Sequence, residues 1–116
     1  MFIILRRMKT NVFPLYLNAD ADAVAATDTT YAIVSSRVVI DSSGGAVDLT
    51  LDAPEEDGTF VRFEMQTGTT ASDIVFTDAS DTTITATLAT TDDAVDLIYF
   101  GNQWRVVALY GTASVA

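Results

Sequence analysis

The amino-acid sequence predicts an all-β protein: a compact antiparallel β-sandwich or barrel-like protomer carrying an extended N-terminal arm. Three observations carry this reading. Beyond Tyr31, hydrophobicity alternates with a period of two in one stretch after another. Reversals rich in Gly, Asn and Asp recur at a spacing of about 8–12 residues, as in sandwiches and barrels. Threonine fills many of the polar positions between the apolar ones, as suits the solvent face of a sheet.

In chain order, residues 1–30 read as the arm and residues 31–116 as the β-sandwich domain. NVFPLYLN is a short apolar segment broken by Pro14, which bars a continuous helix. NADADAVAATDTT follows, alanine- and aspartate-rich, with one helical turn expected over Asp20–Ala26. The arm would be laid against a partner through Val12, Phe13, Leu15 and Tyr16. Burying each large apolar side chain there is worth about 1.5–3 kcal/mol.

In the body, Val47, Leu49 and Leu51 alternate with Asp48 and Thr50. Val61, Phe63 and Met65 alternate with Arg62, Glu64 and Gln66, and Ile84, Ala86 and Leu88 alternate with threonines. Each stretch is the pattern of a half-buried strand. VDLIYF (95–100) and WRVVALY (104–110) are apolar on both faces and joined by Gly101, Asn102 and Gln103, a tight-hairpin signal. Strands of that kind belong in the middle of a sandwich or at a subunit interface. Tyr99, Phe100, Trp104, Val106 and Tyr110 are therefore expected to pack the core and the contacts between copies. Seven to nine strands are expected in all, with Gly44–Gly45, Asp57–Gly58 and residues 68–72 among the other reversals.

Composition removes many kinds of chemistry. The 116 residues suffice for one domain with a modest core, and 49% of them are apolar against 19% charged. Arg6, Arg7 and Lys9 supply half of the cations. From residue 10 onward three arginines oppose all sixteen acids, which leaves −13. Such a body repels phosphate backbones, so no nucleic-acid partner is expected. With neither cysteine nor histidine there is no disulfide, thiolate nucleophile, imidazole base or zinc site. The opening MFIILRRMK falls short of the roughly 20 apolar residues of a membrane span. A secretory leader would place its charge before the apolar run. No membrane partner is expected, and Met8 is an alternative start to Met1.

Each remaining cluster has a plainer reading. Glu55, Glu56 and Asp57 sit between Pro54 and Gly58, so they diverge into solvent from a turn and do not face one another across a cleft. Asn18, Asp20 and Asp22 imitate the start of a calcium loop, but Ala23 stands where glycine is needed and Thr29 where the bidentate glutamate should be. Asp78, Asp81, Asp92 and Asp93 could meet only as an incidental calcium site. Lys9, the lone lysine, lies in the arm, away from any serine or threonine of the body that it would have to activate. Trp104 with Tyr99, Phe100 and Tyr110 suits a core better than a sugar-stacking platform. Neither catalytic residues nor a cofactor nor a functional metal is expected, and the chain reads as no enzyme.

The segment from Gly45 to Leu109 resembles a module found repeatedly in tailed-phage virion proteins. There an alternating strand enters an Ala-Pro-x-x-Asp-Gly corner, followed by a Val-x-Phe strand, an Ile/Thr-rich hairpin, a hydrophobic strand, a Gly-containing turn and a tryptophan strand. Here these read VDLTLDAPEEDGTFVRF, DIVFTDASDTTITATL and AVDLIYFGNQWRVVAL. The resemblance implies an all-β homotrimer in a virion, either a head-decoration (cement) protein or a tail-fibre or receptor-binding module. A short β-body behind an arm fits decoration better. The implied partners are further copies of the chain and the major capsid protein. The implied location is the outer capsid surface, reached after synthesis in the host cytoplasm. An apolar-rich protomer also gains by trimerising, since closure hides strand edges.

Overall fold

The computed structural model describes residues 21–54, 56–77 and 80–116. Ten strands run through them: β1 (Asp22–Ala25), β2 (Thr27–Tyr31), β3 (Arg37–Asp41), β4 (Val47–Leu51), β5 (Thr59–Thr67), β6 (Ser72–Thr77), β7 (Thr83–Leu88), β8 (Ala94–Tyr99), β9 (Trp104–Tyr110) and β10 (Ser114–Val115). They form two five-stranded sheets, ordered β1-β3-β5-β8-β9 and β10-β7-β6-β4-β2, packed as a sandwich.

The sheets are mixed, where a purely antiparallel arrangement was expected. From β1 to β6 the chain changes sheet at every step, odd strands joining the first sheet and even strands the second. Neighbours within a sheet are therefore two steps apart and run the same way. β1, β3 and β5 are parallel, as are β2, β4 and β6. These six strands make three coils of a flattened helix. Only then does the chain turn back, adding β7, β8, β9 and β10 by antiparallel pairing.

The core lies between the sheets and follows the alternation closely. Val47, Leu49 and Leu51 on β4, and Val61, Phe63 and Met65 on β5, point inward, as do Ile74 and Phe76 on β6 and Val95 and Leu97 on β8. Tyr31 meets Phe63 edge-on at 6.2 Å between ring centres. Buried serines tie the coil corners. Ser72 Oγ accepts the Val47 amide at 2.9 Å and donates to the Thr70 carbonyl, while Ser42 Oγ accepts the Thr70 amide at 3.2 Å. With Thr91 Oγ1 donating to the Gly68 carbonyl at 3.0 Å, residues 68–72 are held at both ends.

The arm expected over residues 1–30 needs correction where it is described. Residues 22–31 are β1 and β2, integral to the two sheets, and the helical turn expected over Asp20–Ala26 is strand from Asp22 onward. Backbone pairing to β3 and β4 overrides the weak strand preference of alanine and aspartate. Val12, Phe13, Leu15 and Tyr16 lie outside the described residues.

Candidate functional site

The β8–β9 hairpin turns on Gly101 and Asn102, whose φ angles of 65° and 62° are the left-handed pair that a two-residue hairpin requires. Phe100 N–H donates to the Gln103 carbonyl at 2.9 Å. The hairpin is where the sequence places it, but it is not central: β9 is the edge strand of its sheet. The chain leaves β9 for the other sheet, where β10 pairs with β7, so no described strand covers the far side of β9.

Register then decides which way each side chain of β9 faces, because directly opposed residues share a face. Trp104 opposes Tyr99, Val106 opposes Leu97 and Leu109 opposes Val95. Between them the ladder slips by one residue at Val107, a bulge. Leu97 and Val95 are fully buried, so Val106 and Leu109 also face inward, yet they remain 38% and 42% exposed. Val115 on β10 repeats the pattern in the second sheet: it opposes the buried Ala86 and is 38% exposed. Three aliphatic side chains that belong to the core face thus line an open mouth at the C-terminal end of the sandwich.

The opposite mouth is built differently. Its inward positions on β1 and β2 are Asp22, Val24, Thr27, Thr29 and Tyr31, four of the five polar, set by register against Val38, Ile40, Val47, Leu49 and Leu51. The Tyr31 hydroxyl donates to Asp22, linking the two sheets. Burial first, then the hydrogen bond and charge of Asp22, push that phenol well above its ordinary range. One end of the sandwich is polar and bridged; the other is greasy and open.

The expected packing residues divide accordingly. Trp104 is 4% exposed and part of the core, meeting Tyr99 edge-on at 5.2 Å. Its indole N–H is buried without a hydrogen-bond partner. Its ring is not displayed for a sugar. Phe100 and Tyr110 are exposed. On the outer face, Tyr110 lies under the Arg62 guanidinium at 4.5 Å and donates to Asp96 at 3.2 Å. Leu109 and Val115 do not stand out in the sequence; the slip at Val107 turns Leu109 to the same face as Val106, and pairing with β7 turns Val115 to the core face of the other sheet.

The acids are committed to structure or to solvent. Arg62 and Asp96, cross-strand partners, form a two-pronged ion pair at 2.6 and 2.9 Å. Asp93 is buried, which pushes its carboxyl up, but amide and hydroxyl donation from Thr112, with the amides of Ala89 and Thr90, outweighs this and holds it down at about 2. These two are the buried acids among the described residues. Glu56 and Asp57 are exposed at the Gly58 turn, and Asp81 and Asp92 are exposed loop residues. Glu55, Asn18, Asp20 and Asp78 lie outside the described residues. Among the described residues no three His, Cys, Asp or Glu side chains are grouped to hold a metal ion.

No protein-family model matches the chain, and no curated protein matches it. Among solved structures, the fold is similar to part of one described as "Structure of a chaperone-substrate complex", at 15% identity and a TM-score of 0.47. That alignment covers 78% of this chain but only 18% of the other.

Proposed function

We propose that this chain is a non-catalytic assembly protein whose working part is a surface, and, more specifically, a capsid-decoration (cement) protein. In this reading it binds the outer capsid surface as a homotrimer and stabilises the head. The observation that carries the assembly part is β9, where Val106, Val107, Leu109 and Tyr110 are all exposed on one edge strand. Soluble monomers seldom leave a contiguous apolar strand of that kind in water. The two buried acids are both saturated by structural bonds, which leaves them poorly suited to proton transfer.

The viral part rests on the resemblance of Gly45–Leu109 to virion modules. A trimer seated where capsid subunits meet adds its binding free energy to the cost of separating them. Three arms engaging together through Val12, Phe13, Leu15 and Tyr16 would give avidity beyond any single arm. Sedimentation of the purified chain, followed by co-sedimentation with capsids of the full chain and of a chain lacking residues 1–18, tests both parts. A trimer that binds capsids and loses binding on truncation supports the reading; a monomer, or a trimer indifferent to capsids, overturns it.

A second reading, a tail-fibre or receptor-binding module, is favoured by the coil-by-coil progression of β1–β6, a geometry that stacks along an axis. Copy number separates the two: hundreds per particle for decoration, a handful for a tail.

A further inference from the structure

We propose that copies of this chain meet through the open C-terminal mouth, with Val106, Leu109 and Val115 of one copy packing on the same rim of another. This rests on the reading of the chain as a self-assembling protein and names the surface that does it. Three features of the molecule select a second copy as the occupant.

The first is charge. Residues 104–116 carry a single charge, Arg105, and no acidic side chain, in a chain whose net charge is −10. Elsewhere two copies approaching each other bring many acidic side chains together; at this rim the one charged side chain is Arg105. A basic partner would instead be drawn to the acidic remainder of the surface.

The second is the contrast between the two ends. The N-terminal mouth presents Asp22, Thr27 and Thr29 beside Val24 and is bridged by Tyr31. Aliphatic side chains docked on it would strip water from polar groups without replacing their hydrogen bonds. Joining the greasy mouth of one copy to the polar mouth of the next, which propagates into filaments when no ring closes, is therefore disfavoured. Rim-to-rim contact consumes its own surface and stops at a closed assembly.

The third is the slip at Val107. A continuous edge strand invites another strand to extend the sheet, whereas a bulge breaks the ladder. The same slip leaves Val106 and Leu109, three residues apart, both facing inward. The contact is thus made by side chains closing over a shared apolar mouth, and not by a shared sheet.

The absence of native cysteine makes the test direct. Val115→Cys and Thr29→Cys, each at an exposed position at one mouth, are treated with a short bismaleimide at concentrations where the wild-type chain sediments as an oligomer. Covalent multimers are expected from Val115→Cys and single chains from Thr29→Cys. Leu109→Lys is expected to weaken association about tenfold or more with an unchanged circular dichroism spectrum. Cross-linking through Thr29→Cys, or through neither variant while the wild type is oligomeric, overturns this inference and leaves self-assembly standing. Loss of Val115→Cys cross-linking on removing residues 1–18 overturns it too, because the arm would then be the occupant. A wild-type chain that sediments as a monomer overturns the assembly reading beneath it.

Discussion

Gly111 and Asp93 are packed so closely that residue 111 has no room for a side chain: a Cβ there would collide with the Asp93 carboxylate. Gly111 also has a φ of +70°, so an L-residue would be strained even in open space. The turn it makes delivers the Thr112 amide and hydroxyl to Asp93, each at 2.7 Å. That closes the β9–β10 connection onto the loop before β8.

Gly111→Ala is therefore expected to destabilise the fold by about 2–4 kcal/mol, combining the left-handed backbone cost with displacement of a hydrogen-bonded carboxylate. Urea denaturation followed by circular dichroism measures it. A loss under about 0.5 kcal/mol, the range of ordinary surface changes, would show that the turn relaxes freely.

Asp93 also sets a pH dependence. Its folded carboxyl is depressed to about 2, below the ordinary unfolded value of about 3.9. The folded state thus binds fewer protons than the unfolded one in that interval. The stabilisation is complete above roughly pH 5 and is lost as pH falls from about 4 through about 2. Asp93→Asn should be less stable than wild type at neutral pH, and the gap should narrow across that window. A gap that stays constant down to pH 2 would rule out the linkage.

Arg62 and Asp96 differ in exposure, 37% and 7% at the side chain. Removing Arg62 leaves a buried carboxylate with, among the described residues, the Tyr110 hydroxyl to bond it, whereas removing Asp96 leaves a guanidinium that water still reaches. Arg62→Met is expected to cost about 1–3 kcal/mol. The double change with Asp96→Leu should recover part of that loss, because no uncompensated charge remains. A double-mutant cycle measures the coupling, and strict additivity would mean the pair contributes nothing of its own.

Trp104 gives a fourth measurement. Packed against Tyr99 in the core, it should emit at short wavelength and resist iodide even in a dissociated single chain. Ready quenching in folded monomers would place the indole outside the core. Protection of this tryptophan accordingly reports folding and not assembly, and Phe100 or Leu109 replaced by tryptophan would be the better reporter of contact between copies.

Much of the fold was legible in the sequence because half-buried strands write their pattern with a period of two. The stretches at Val47–Leu51, Val61–Met65 and Ile84–Leu88 are β4, β5 and β7, and the Gly101–Asn102 reversal is a hairpin. The strand β1 was hidden because DAVA has little intrinsic strand preference, and β2 because TDTTY, though rich in strand-favouring threonine, shows no alternation of apolar and polar residues. The parallel pairing was hidden because it depends on which sheet each strand joins, which no local pattern encodes. Two-sided apolarity in β9 pointed correctly to something unusual but suggested a central strand. An edge strand with an uncovered inner face has the same composition, and only register tells Val106 and Leu109 from Val107.

Because each coil of β1–β6 leans chiefly on the one before it and the one after it, this part of the sandwich is built rung upon rung. A duplicated pair of strands slipped between Tyr31 and Arg37 would find a ready template above and below, so the module could lengthen by whole rungs. Each added pair would raise the height by one rung and leave the greasy end, built by antiparallel pairing, as it is.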